Sequence, residues 1–363
     1  MSIKIRLVKR EQVKLYHKIL SPVISIVIAF VFIAIILRAM GYNPATAYQF
    51  LFKGAFGNAY NFSETLVQAT PLLFAGLGVA VALSMATMNI GAEGQFCFGA
   101  WAATGVGLYC QWIPQPLIIP TMIVVGFLAG GAWGVIAVLP KAIWGVDETI
   151  TTLMLNYVAL LWIDYFVFGP WRDTSSANLP RSQVLPNTAR LTTIFGTRVD
   201  VSIFLALILA VALYIFFKKT SAGYQIRVIG QNTKAAKYAG MDIRKKMLLV
   251  MLLSGGLAGV AGVVYVSGAG SRLVTGVSAG KGYTALIIAR LSKNNPLIIV
   301  LVSVLFGALI QGSYNLQLAH IPQQMCDMLQ GAILFCALAG ELFINNTLTI
   351  RVQNKESLVK EAR

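Results

Sequence analysis

From Thr65 to Pro140 the chain carries a single charged residue, Glu93. A stretch that long with almost no charge has no use for a water-facing surface and fits repeated passage through lipid. The interruption itself is specific. In Met88-Asn89-Ile90-Gly91-Ala92-Glu93-Gly94-Gln95-Phe96 a carboxylate, two amides and two glycines break uncharged runs on either side. Polar groups at membrane depth are costly and persist where they line a cavity or hold one together. Glycines allow the backbone to bend or to approach another segment closely. The segment therefore reads as part of a pathway or its wall, with Asn89, Glu93 and Gln95 as candidate pathway residues and Gly91 and Gly94 as a helix break.

Composition extends this to the whole chain. Hydrophobic residues make up 57% and charged residues 12%, with a mean hydropathy of +0.73. That balance excludes a soluble domain of 363 residues. The net charge of +16 raises nucleic acid as a partner. The basic residues cluster in short loops between apolar runs, however, which fits anionic lipid and the positive-inside rule instead. The sequence calls for a lipid bilayer and no nucleic acid. Four cysteines and two histidines show no ligand spacing, so no metal site is expected.

Uncharged runs of about 20 residues mark the spans. They fall near Leu20–Leu37, Glu64–Leu83, Gln95–Cys110, Leu117–Val138, Thr149–Phe168, Val201–Phe217, Met247–Ser267, Pro296–Ser313 and Met325–Ile344. A shorter element, Gly282–Leu291, either extends back toward Leu273 or is a half-helix re-entering the interior. The basic segments 1–19, 218–246 and 345–363 are assigned to the cytoplasm, which places both termini inside. Parity then requires the short element to count as a crossing. The expected fold is all-α: a polytopic transmembrane helical bundle of about ten spans, one permease domain over 1–363. The polar loop 169–200 lies outside, long enough to dock an external partner as well as connect two helices.

Two sets of segments resemble each other across the halves. Met154-Leu155-Asn156-Tyr157 parallels Met328-Leu329-Gln330-Gly331, and Ala92–Phe96 parallels Ala279-Gly280-Lys281-Gly282-Tyr283. Five spans per half make the repeat an inverted one, with broken helices near the midplane. Asn156 and Gln330 join the candidate pathway residues, and Gly280 and Gly282 form the second helix break. Asn156 has a plainer alternative, an interhelical hydrogen bond. Glu93, Asn89 and Gln95 likewise either meet a solute or hold the broken backbone.

No site for chemistry emerges. Gly276-Val277-Ser278-Ala279-Gly280-Lys281-Gly282 lacks the glycine spacing and the hydroxyl residue of a phosphate-binding loop. The chain is expected to be no enzyme and to hold no cofactor. In the basic loop, Asn232 is placed to cap a short helix that Gly240 ends. Its small residues Ala235, Ala236 and Ala239 leave room for a protein surface, whereas a lipid-facing helix calls for larger apolar residues.

Taken in order, these motifs resemble the permease subunits of ATP-binding-cassette importers for simple sugars and nucleosides, nearest to the bacterial nucleoside-type branch. The resemblance runs from about Gly41 to Phe343. It is carried by Asn43-Pro44-Ala45-Thr46-Ala47-Tyr48, Asn89–Gln95, Glu148-Thr149-Ile150-Thr151-Thr152-Leu153-Met154-Leu155-Asn156-Tyr157, Gly169-Pro170-Trp171-Arg172-Asp173, Gly230-Gln231-Asn232, Gly280-Lys281-Gly282-Tyr283-Thr284-Ala285 and Asn295-Pro296-Leu297. It implies cytoplasmic ATPase subunits that use the ATP, a second and different permease chain, and an extracellular or periplasmic substrate-binding protein. It also implies a cell-membrane location and a coupling role for Gly230, Asn232, Ala235, Ala236, Ala239 and Gly240. One departure stands out: the turn Leu291-Ser292-Lys293-Asn294-Asn295 has no glycine where the family leads one to expect it. The rival readings are a secondary transporter for a small polar solute, which calls for a cation site or buried acids, and a membrane-embedded transferase, which calls for clustered acids or histidines.

Overall fold

The computed structural model describes residues 2–9, 15–175, 179–194, 196–317 and 346–353, with isolated positions between 321 and 340. Helices account for nearly all of it: α1 (Leu15–Ala39), α2 (Pro44–Phe56), α3 (Ala59–Ser84), α4 (Ala92–Tyr109), α5 (Gln115–Trp144), α6 (Glu148–Phe168), α7 (Ser202–Lys219), α8 (Ser221–Gln231), α9 (Thr233–Tyr238), α10 (Ile243–Tyr265), α11 (Lys281–Leu291) and α12 (Pro296–Leu316). Nine of the ten expected spans coincide with helices. The tenth, Met325–Ile344, falls largely outside the described residues, as does Gln330. Six helices, α3, α5, α6, α7, α10 with its following turn, and α12, are each long and apolar enough to cross a membrane. At about 1.5 Å per residue, α11 is too short to cross alone.

Two compact units divide the chain, residues 1–50 with 313–363 and residues 51–312. In the first, β1 (Ser2–Lys9) and β2 (Asn346–Gln353) pair antiparallel, Ser2 opposite Gln353 and Lys9 opposite Asn346. They are the only named strands among the described residues and lie outside the expected spans. The same unit holds an edge-on contact between Phe30 and Tyr48, ring centroids 5.2 Å apart, and the Tyr48 hydroxyl donates to the Phe30 carbonyl.

Local sequence sets the helix ends of the second unit. Asn58 caps α3, Asp147 caps α6, Thr220 caps α8 and Asp242 caps α10, each accepting from a backbone N–H of the first turn. Gly145 ends α5 in the left-handed region, where a Cβ would be strained. The interior is built on backbone contact. A Cβ at Gly99 would stand 2.2 Å from the Gly259 carbonyl oxygen, one at Gly130 2.5 Å from that of Gly255, and one at Gly262 2.1 Å from that of Phe96. Helices α4, α5 and α10 thus meet along a glycine seam, the close-packing device of membrane bundles. Helix α3 is buried along most of its length, whereas α7 turns most of its surface outward.

Helices α3 and α10 pack on each other, and each also packs on the helix that follows the other's break. Helix α10 packs on α4 and α5, and α3 packs on α11 and α12, where Gly76 faces Ile288 and Ile299 and Gly307 faces Thr65 and Ala69. Each of α3 and α10 is followed by a break and then a helix opening on a glycine-flanked start, α4 or α11.

Candidate translocation site

The two breaks come together. A Cβ on Gly282 would fall 2.3 Å from the Glu93 nitrogen, so the first turns of α4 and α11 touch backbone to backbone. Glu93 is buried, and its two carboxylate oxygens accept from the Gly280 N–H at 2.9 Å and the Gly282 N–H at 2.7 Å. Helix N-termini present unpaired N–H groups and partial positive charge. One carboxylate in the first turn of α4 and capping α11 answers both. Lys281, also buried, lies close enough for its charge to interact with Glu93, and its ammonium stands 4.5 Å from the Tyr265 ring centroid.

Amides finish the clasp. Asn89 and Gln95 exchange two hydrogen bonds, Asn89 Nδ2 to Gln95 Oε1 at 2.8 Å and Gln95 Nε2 to Asn89 Oδ1 at 3.0 Å. Asn89 Nδ2 also donates to Ser254 Oγ of α10 at 2.8 Å. From α6, Asn156 accepts the Gly94 N–H at 2.9 Å and donates to the Ile90 carbonyl at 3.0 Å and the Tyr283 hydroxyl at 3.2 Å. Asn89, Gln95 and Asn156 are fully buried. The four described pathway candidates therefore form one network around the two breaks, with Gly91 and Gly94 inside it. Each of their polar atoms already has a partner in the chain. Tyr283, which sequence reasoning left unassigned, is more than a third exposed and is the network's open edge. Ser254 was also missed, although a hydroxyl beside Gly255-Gly256 in an apolar helix was a usable signal.

Residues 61–338 match the family described as the permease component of the branched-chain amino acid transport system. The chain belongs to this family. It is a membrane transport component rather than an enzyme. Over 88% of its length the permease is 32% identical to the nucleoside ABC transporter permease protein NupB of Lactococcus lactis, covering 90% of that protein. It is 32% identical over 93% to the guanosine ABC transporter permease protein NupP of Bacillus subtilis, covering 96%. It is 29% identical over 94% to the glucose ABC transporter permease protein TsgB13 of Haloferax volcanii, covering 93%.

Away from the clasp, the permease connects each face to it. Asn232 caps α9 by accepting the Ala235 N–H at 3.0 Å, and Gly240 follows in the left-handed region at φ +74°. Ala235 and Ala239 face outward, but Ala236 is fully buried and anchors α9. The expectation that all three alanines share an open face is corrected: Ala236 is one position, about 100°, round from Ala235, and turns inward. Gly230 is not on the open surface either, since a Cβ there would lie 2.4 Å from the Ser84 carbonyl oxygen at the end of α3. On the opposite face, the 169–200 loop is laced to the segment after α10. Ser182 N–H donates to the Leu273 carbonyl at 2.8 Å, and Leu185 and Leu191 N–H donate to the Ser271 and Ser267 carbonyls at 2.9 Å. That segment holds a π-turn at Val266–Gly270 and a left-handed Ser271, φ +54°.

Proposed function

We propose that this permease is the membrane subunit of an ATP-driven importer carrying nucleosides into the cell by alternating access. The observation that carries the substrate is the pair of relatives named for nucleosides and guanosine, each matched over nearly the whole of both chains. The bundle has ten spans in two inverted halves of five. The exchange of packing partners between α3 and α10, and the meeting of the two breaks, support that arrangement. Both termini and the segment 218–246 face the cytoplasm, and 169–200 faces outward. Two ATP-binding-cassette ATPase subunits dock on α9, a second and related permease chain completes the pathway, and an external binding protein engages the 169–200 loop. The permease holds no cofactor; its ATPase partners use the ATP.

Asn89, Glu93, Gln95 and Asn156 form the wall of the pathway, with Gln330 as the counterpart of Asn156. Because their polar atoms are paired within the wall, the solute meets the hydroxyl of Tyr283, held by Asn156. Movement of α9 reaches the clasp through α8, where Gly230 rests on the end of α3. Purification of the tagged chain from membranes in mild detergent tests the reading. Co-recovery of an ATPase and nucleoside-stimulated ATP hydrolysis is the expected result; a preparation that transports in liposomes without an ATPase overturns it. The glucose-named relative makes simple sugars the second reading, so the same assay with glucose separates the two.

A further inference from the structure

On the face that carries α8 and α9 lies a cleft of about 390 Å³, bordered by Gly230, whose charged residues the transport reading leaves unused. Three cations line it: Lys218 at the end of α7, Arg227 on α8 and Lys293 in the turn between α11 and α12. No acidic residue lines it, and none of the three has an ion-pair partner among the described residues. Like charges brought together without counter-charge repel, so an anion from outside the chain would stabilise the cleft.

Two further observations bear on what fills the cleft. Lys293 and Asn294 both adopt the left-handed region, φ +49° and +57°. Glycine would hold this turn without strain. A lysine kept in a strained conformation is a sign of use. Second, Ile208, Val211 and Ile215 form an exposed apolar stripe on α7, and Lys218 follows on the same face. From Ile208 to Lys218 the helix rises about 15 Å, roughly half the hydrocarbon thickness. An acyl chain lying on that stripe puts its headgroup phosphate at the cleft.

We propose that this cleft binds the phosphodiester of an anionic phospholipid, for which phosphatidylglycerol is the probe. Basic pockets between transmembrane helices suit such headgroups. The test is native mass spectrometry of the full chain in mild detergent, titrated with phosphatidylglycerol or phosphatidylcholine. A Lys218→Gln, Arg227→Gln, Lys293→Gly variant is compared with a control lacking three cations elsewhere, Lys53→Gln, Lys234→Gln and Lys246→Gln. Wild type and control should retain phosphatidylglycerol at least fivefold over phosphatidylcholine, and the cleft variant should fall to near parity. Equal retention by wild type and cleft variant, or no preference in wild type, overturns the assignment. So does complete displacement of the lipid by millimolar inorganic phosphate, which would make the cleft a free-phosphate site. Unchanged lipid retention with loss of ATPase co-purification would hand it to a protein contact. Should the triple variant not fold, Lys293→Gly alone serves. It should raise the lipid-free Tm by relaxing the turn while reducing the Tm gain from phosphatidylglycerol, and an unreduced gain overturns the proposal.

Discussion

At Glu93 one side chain holds two helices, and substitutions there separate charge from shape. Glu93→Gln keeps the size but turns an NH2 donor toward a backbone N–H that needs an acceptor. With about 1–3 kcal/mol lost per unsatisfied buried group, a lower Tm in detergent and reduced uptake are expected; an unchanged Tm removes the clasp as a stabilising feature. Tyr283→Phe removes the open-edge hydroxyl and with it one acceptor of the Asn156 NH2, which keeps its bond to the Ile90 carbonyl, so the Tm should fall less than in Glu93→Gln while nucleoside uptake drops several-fold. Equal uptake by this variant would place the solute elsewhere. The sequence marked Glu93, Asn89, Gln95 and Asn156 by polarity at membrane depth, but left two roles open for Glu93 and for Asn156. What decides between them for Glu93 lies 187 and 189 residues along the chain, at Gly280 and Gly282. No local pattern announces a partner that distant. The glycines on both sides were legible because close backbone approach admits so few residues.

Helices were readable where they are long and apolar. Short ones were not: α2 and α8 are missing from the expected spans, α8 because the cations around it marked the region as a loop. A charge count does not see an 11-residue helix packed by Ile226 and Ile229. Gly230→Val drives two methyls into the end of α3. It should abolish uptake while leaving membrane insertion intact, as uptake assay and membrane fractionation would show; normal uptake breaks the proposed link from α9 to the clasp. The lacing of the 169–200 loop responds to acid. Hydrogen bonds from Ser175 hold the Asp173 carboxyl below its usual range, with Arg272, 3.9 Å away, and Arg181 adding to the effect. A carboxyl depressed in the folded state contributes stability that is present at neutral pH and lost as pH falls through its folded value. Protection factors from hydrogen exchange at residues 181–185 and 271–274, corrected for the intrinsic pH dependence of amide exchange, should therefore be flat from pH 6 to 8 and fall well below about pH 4, the ordinary aspartate value. A fall already at pH 6 contradicts this account.

For the molecule as a whole, the expected class and family rest on patterns that repeat along the chain, which is why they could be read without coordinates. The proposed inverted relation rests in the sequence on two faint matches, since apolar sequences resemble one another; that α4 and α11 touch is what no such match could announce. The glycine seam carries a consequence on an evolutionary scale. Where two side chains share a volume, one can grow if the other shrinks. Gly99 and Gly259, or Gly130 and Gly255, have nothing left to give up, so no second substitution repairs the first. Gly259→Val should accordingly cost folded yield that no change at Gly99 restores, measurable as monodisperse protein recovered from membranes. Descendants of this chain can therefore diverge on the outward faces of α6 and α7, where side chains such as Met154, Tyr157 and Ile208 stand free. The α4–α5–α10 junction is closed to them, and new substrates would have to be accommodated around an unchanging centre.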